Sequence, residues 1–154
     1  MSRIDWRGID YRGADIVEPL VAQNRAKFGA PGRSFEALDL LSGALPQVDL
    51  VVCRDALVHF SFDDCRRALA TIVASGSTYL LTTTFPRHPS NRDIPTGHWR
   101  TLSLETPPFG FPPPLETIEE GCTEAGGAYR DKSLALWRVA DLAPRPAVPS
   151  PAAR

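Results

Sequence analysis

Residues 48–60 read VDLVVCRDALVHF. Val48, Leu50, Val51, Val52 and Cys53 make a nearly continuous apolar run, broken only by Asp49. A strand with water on one face alternates apolar and polar side chains. A run like this one instead expects cover on both faces, as in a parallel sheet flanked by helices. The segment then turns polar at Arg54 and Asp55, so charged side chains are expected at the strand's carboxyl tip.

Working outward, residues 63–74 read as a helix with Ser61 as its N-cap. STYLLTTTF (77–85) is β-branched and aromatic, and reads as a strand. On the other side, YRGADIV (11–17) is a short strand in which Gly13 permits close backbone approach. EPLVAQNRAKFG (18–29) follows as a helix, with Pro19 in its first turn, a stripe of Leu20, Val21 and Phe28, and Gly29 as the stop. SFEALDLL (34–41) is a second strand, with Gly43 and Pro46 marking the loop after it. Strand, helix, strand, loop, strand, helix, strand predicts an α/β domain, a sheet with helices on its faces.

The pattern changes after Phe85. Residues 86–114, PRHPSNRDIPTGHWRTLSLETPPFGFPPP, carry too many prolines for a helix. A stretch this long without regular structure reads as a functional lid or binding loop. LETIEEGC (115–122) and KSLALWRVADL (132–142) then read as an antiparallel strand pair, and APRPAVPSPAAR (143–154) as a disordered tail. The expectation is one α/β domain over residues 1–142 and a tail over 143–154.

The 154 residues, 43% hydrophobic and 23% charged, supply one domain's core. A net charge of −1 leaves no basic excess to neutralise phosphates, which argues against general nucleic-acid or anionic-membrane binding. No apolar run approaches the roughly 20 residues of a membrane helix, and the polar N-terminus does not read as a signal peptide. Cys53, Cys65 and Cys122 are odd in number and far apart, which fits neither a metal site nor a disulfide framework and places the chain in a reducing cytoplasm. Lys27 and Lys132 are the only lysines; the Arg, Ala and Pro load fits a GC-rich bacterial source.

The order of elements and the motifs GADIV, FEALDL, DLVVCRDALVHF and YLLTTTF, closed by an antiparallel pair, resemble the class I S-adenosylmethionine-dependent methyltransferases. The resemblance runs from Tyr11 to Leu142, and LTTTFP…NRDIPTGHWRTLSLETPPFGFPPP is similar to a bacterial branch whose substrate the sequence does not name. It implies a Rossmann-like, mostly parallel sheet of order 3-2-1-4-5-7-6 with strand 7 antiparallel, and S-adenosyl-L-methionine across the carboxyl ends of the strands. It makes YRGADIV strand 2, FEALDL strand 3, DLVVC strand 4, YLLTTTF strand 5 and the last two strands 6 and 7.

The resemblance also assigns roles. Asp15 would accept hydrogen bonds from both ribose hydroxyls, with Ile16 against the adenine; a solvated turn acid and a core aliphatic are the plain alternatives. Asp39 would read the adenine amino group and Leu40 pack the ring, against a simple turn cap; Arg54 lies where methionine moiety and acceptor meet, or is a surface arginine. Asp55 and His59 stand four residues apart at the mouth of the site; His59 suits a general base, and equally a structural partner. In the long loop, Asn91, Arg92 and Trp99, with Asp93 and Arg100 beside them, combine aromatic and polar groups for a substrate lid, or make a packed surface loop. Methyl transfer asks mainly for in-line alignment, so neither a triad nor a metal cluster is required. The acceptor is expected to be a small molecule.

One part of that family pattern has no match. No strand with a glycine-rich loop stands ahead of YRGADIV, and RIDWRGI would put Arg3, Asp5 and Arg7 on a strand buried on both faces. The chain therefore reads as N-terminally truncated relative to the family, with cofactor binding and methyl transfer expected to be impaired, either the downstream part of a fuller enzyme or a pseudoenzyme or binding module on the same scaffold. A nicotinamide-dependent oxidoreductase, which also uses an acid after strand 2, fits the closing antiparallel pair poorly, and no Tyr-x-x-x-Lys pair is present.

Overall fold

A computed structural model describes residues 5–142. The chain forms two compact units, one ending at Gly43 and the other starting at Ala44. The tail expected over 143–154 lies outside the described residues.

The first unit is a strand–helix–strand: β1 (Tyr11–Asp15), α1 (Glu18–Phe28) and β2 (Arg33–Ala37). β1 and β2 pair in parallel from Tyr11↔Arg33 to Asp15↔Ala37. Gly13 carries this packing, because a Cβ there would stand 2.6 Å from the Phe35 ring. Tyr11 and Phe28 meet the same ring edge-on and tilted, at 5.8 and 6.4 Å. The Arg25 guanidinium ties α1 to β2 by donating to the Phe35 carbonyl at 2.8 and 3.2 Å. Of the stripe expected on α1 only Val21 is buried, and Leu20 is 39% exposed. β2 is also shorter than expected. It stops at Ala37 because the Asp39 carboxylate captures the Leu41 N–H (2.9 Å) and the Ser42 hydroxyl (2.6 Å), folding residues 39–42 into a turn.

The second unit is built on β3 (Leu50–Cys53), α2 (Phe62–Ala74), β4 (Tyr79–Thr84), β5 (Glu116–Glu119) and β6 (Ser133–Arg138). Its sheet has the order β3-β4-β6-β5. This is the 4-5-7-6 order that the resemblance implied. β3 pairs parallel with β4, while β6 runs antiparallel to both β4 and β5. The expected mostly parallel sheet is therefore corrected to a mixed one: the ladders of the described residues divide evenly, because β6, inserted between β4 and β5, makes both antiparallel ladders. β1 and β3 each have a strand partner on one edge only, among the described residues.

Helix α2 forms where it was expected. Ser61 Oγ accepts the Asp64 N–H at 3.1 Å, and Asp63 and Asp64 lie in the first turn, where the helix dipole favours negative charge. Cys65, Ala68 and Ile72, spaced along one helical face, are fully buried. The cover expected on both faces of β3 is not found. Leu50 and Val52 are 44% and 58% exposed while Cys53 is buried, so the apolar run is covered on one face only among the described residues.

The proline-rich segment is packed rather than loose. Leu102 and Leu104 are fully buried, Phe85 N–H donates to the Leu102 carbonyl (2.9 Å), and Leu104 N–H donates to Thr84 Oγ1 (3.2 Å). It behaves as a further layer of the core, because prolines forbid a ladder but leave apolar side chains free to bury.

Burial pushes the Cys53 thiol up to about 11 and raises Cys65 as well. Cys122 is half-buried. In the native protein at about pH 8, Ellman's reagent should therefore modify Cys122 readily and reach Cys53 and Cys65 only on unfolding. Fast reaction of all the thiols would contradict the packing around α2.

Candidate functional site

β6 runs opposite to its neighbours, so its first residues lie at the same sheet edge as the carboxyl ends of β3, β4 and β5. Four charged side chains meet along this edge of the second unit. Arg54, just past β3, donates from Nε to Glu120 Oε1 at 2.7 Å and lies 3.8 Å from the Asp55 carboxylate. Lys132, just before β6, reaches Asp55 Oδ2 at 2.8 Å and Glu120 Oε2 at 3.7 Å. Asp55 adopts a left-handed φ of 55°, a conformation aspartate tolerates better than most side chains, and its N–H donates to Thr83 Oγ1 at 2.8 Å. The hydrogen bond that Arg54 donates to Glu120 holds its guanidinium above its ordinary pKa. Burial pulls the Lys132 ammonium down, but Asp55 and Glu120 outweigh it and the net shift is upward.

The second unit also holds a cavity of about 270 Å³ whose walls include His88, Arg92, Trp99, Arg100 and Tyr129. Trp99 and Tyr129 meet edge-on with centroids 4.8 Å apart, and Phe85 backs both at 6.2 Å. His88 Nδ1 is 3.2 Å from Asp131 Oδ2, and the buried Asp131 carboxylate also accepts the Arg87 N–H at 3.0 Å.

The structure places the remaining expected residues as follows. Asp15 ends β1, half-buried, with Oδ1 accepting the Val17 N–H at 2.9 Å; no donor reaches Oδ2 among the described residues. Ile16 beside it is 68% exposed. Asp39 and the half-buried Leu40 belong to the turn after β2. Asp55 and His59 are not hydrogen-bonded to each other. The Asp55 carboxylate goes to Lys132, and His59 Nδ1 sits 2.9 Å from the His98 carbonyl. A carbonyl only accepts, so Nδ1 is the donor here, and in the neutral imidazole Nε2 carries the lone pair. Asn91 spends its amide inside the loop: Nδ2 donates to the Ser103 carbonyl, Thr106 Oγ1 and the Pro107 carbonyl, and Oδ1 accepts the Ser103 N–H. Arg92 and Trp99 line the cavity.

Glu120, Tyr129, Asp131 and Lys132 had not been singled out from the sequence. Asp131 meets His88 from 43 residues away, Lys132 meets Asp55 from 77 and Glu120 meets Arg54 from 66. The one available signal was charge placed at strand tips, the acids of TIEE and the Asp-Lys step before SLALW.

Known structures share the fold. The chain superposes on human N-acetylserotonin methyltransferase in complex with SAM with a TM-score of 0.60 and 15% identity, over 86% of this chain and 41% of that one. PigF with SAH gives a TM-score of 0.59 and 14% identity, over 86% of this chain and 44% of that one. The fold is a class I methyltransferase fold. An S-adenosylmethionine dependent methyltransferase from Mesorhizobium loti shares that methyltransferase fold, with a TM-score of 0.53 and 19% identity over 84% of this chain and 80% of that one. The chain spans less than half the length of the first two proteins. No protein-family model and no curated protein matches the sequence. Within the methyltransferase fold, no helix of the described residues is long and apolar enough to cross a membrane.

Proposed function

We propose that this chain acts as an S-adenosylmethionine-dependent methyltransferase on a small-molecule acceptor. The observation that carries the reading is Asp15, a half-buried carboxylate at the tip of β1 with one oxygen open and an exposed Ile16 beside it. An open carboxylate oxygen accepts hydroxyl donors, and an adjacent exposed aliphatic offers an apolar face, which together suit a nucleoside. A cleft of about 110 Å³ in the same unit runs past Asp15, Tyr11 and Asn24. Asp15 and Ile16 would take the ribose and the base of the cofactor's nucleoside half, and Asp39 would reach the adenine edge only by accepting beyond the two hydrogen bonds of its own turn, with Leu40 against the ring. When bound, the cofactor supplies an activated sulfonium methyl group.

In the second unit, Arg54 pairs with Glu120 and Asp55 with Lys132 at the carboxyl tip of β3. His59 Nε2, its lone pair set by the His98 carbonyl, is available to take a proton from an acceptor. Arg92 and Trp99 contact the acceptor from the cavity wall, and Asn91 holds the loop that carries them.

A second reading, a non-catalytic binding module on the same scaffold, has its own support. Both Asp39 carboxylate oxygens are taken by its own turn, and β1 and β3 each leave one edge unpaired among the described residues.

Calorimetric titration of the chain with S-adenosylhomocysteine decides between the readings. Saturable binding is expected, and Asp15→Ala should weaken it by about tenfold, the loss of a charge-assisted hydrogen bond. Absence of binding, or binding that Asp15→Ala leaves unchanged, would reject the assignment.

A further inference from the structure

We propose that the cavity beside His88 binds a planar aromatic carboxylate. The argument begins with charge. Arg100 lines the cavity and is only 4% exposed, yet no carboxylate pairs with it among the described residues. Its guanidinium donates to the Leu57 and Val58 carbonyls and to Cys65 Sγ, lies 5.3 Å from the centre of the Phe62 ring, and keeps a buried Nε–H with no acceptor. Asp64 and Asp93 act on the Cys65 thiol to which Arg100 donates, but a buried cation with no direct ion pair still favours an anion beside it.

Arg92 adds a second guanidinium to the wall, again with no acidic partner among the described residues. Against these stands one buried acid, Asp131, and it is already engaged by the Arg87 N–H and by His88. The cavity wall is therefore cationic in excess. Guanidinium groups match carboxylates in shape as well as charge, through paired N–H donors.

The ring requirement comes from the other wall. Trp99 is 40% exposed, but it is held in place by Tyr129 at 4.8 Å and Phe85 at 6.2 Å. Two fixed aromatic side chains bordering a cavity offer edge and face contacts to a flat ligand. The volume of about 270 Å³ falls just under the roughly 300–1,000 Å³ of sites for drug-sized molecules. One ring with its substituents is the scale that fits.

Binding of such an acid stands on the cavity alone; its role as the methyl acceptor rests on the transferase reading above. The test is titration of the full chain with 4-hydroxybenzoate without added cofactor, followed by calorimetry and by tryptophan emission. Saturable binding is expected, with 4-hydroxybenzamide, the neutral analogue, and Arg92→Gln each weaker by about tenfold or more. Trp99→Phe should abolish most of the emission change while heat of binding remains. Equal binding of acid and amide, an unaffected Arg92→Gln variant, or no saturation up to about 10 mM would each overturn the proposal. A parallel titration with S-adenosylhomocysteine separates the two ideas. If the acid binds and the nucleoside does not, the transferase reading fails and the site stands; the opposite result removes the site alone.

Discussion

Replacing Trp137 with alanine is expected to destabilise the second unit by about 3–5 kcal/mol, the range for truncating a buried aromatic. Trp137 is 1% exposed, on β6 between its two antiparallel neighbours. Its ring meets Phe111 edge-on at 5.3 Å, and Nε1 donates to the Pro112 carbonyl at 2.8 Å. One side chain thus fills the core and pins the proline-rich segment to the sheet. A loss of that size compares with the whole net stability of a typical domain, about 5–15 kcal/mol. The cost should appear as a lower guanidinium midpoint, with faster proteolysis between residues 105 and 115. Trp137→Phe should recover part of the packing while leaving the Pro112 carbonyl unpaired. A loss below about 1 kcal/mol for the alanine variant would contradict the packing described for β6.

Lys132→Met should cost about 2–3 kcal/mol, the upper part of the range for charge-assisted hydrogen bonds left unmade. The Lys132 side chain is 16% exposed and serves both Asp55 and Glu120, whose side chains are 35% and 15% exposed. Methionine keeps the apolar stem but leaves two carboxylates facing each other with only Arg54 between them. The pH dependence has a definite sign. The folded Lys132 pKa lies above its ordinary 10.5, so its stabilisation is complete below that value and is lost as the pH rises through the folded pKa. The deficit of the variant relative to the parent should be constant from about pH 6 to 9 and shrink in strong alkali. Thermal unfolding across that range measures it. A variant as stable as its parent would mean that the network at the sheet edge contributes nothing.

How much of this was legible depends on how local each signal is. Helix α2 was readable because its cap, its acidic first turn and its buried stripe of Cys65, Ala68 and Ile72 all lie within a dozen residues. β4 was readable from a run of β-branched and aromatic side chains. The short β2 was over-read, since the alternation continues through Leu38–Leu41 while the Asp39 carboxylate diverts the backbone into a turn. Double cover of β3 was over-read for another reason. Apolar composition says that a strand can be buried, but whether Leu50 and Val52 find a neighbour depends on the rest of the fold.

The site divides in the same way. Arg54, Asp55, His59, Arg92 and Trp99 were nameable because each follows a strand or lies in an unusual loop. What each of them does was not, because Arg54 and Asp55 turn out to be held by Glu120 and Lys132, and Asn91 is consumed by its own loop.

Through its resemblance to a known family the sequence implied the strand order of the second sheet; by itself it determined the element order and the strand tips that carry charge. Those features follow from hydrophobic period, caps and turn chemistry, all of which act within a few residues of one another. Only the tertiary structure decided which charges meet, that a proline-rich segment becomes a core layer, and that Arg100 is buried with no carboxylate paired to it among the described residues. Pairings over 43–77 residues arise when β6 enters between β4 and β5 and brings Asp131 and Lys132 to the edge where β3 ends. Electrostatic contact depends on distance in space, which local sequence patterns do not encode.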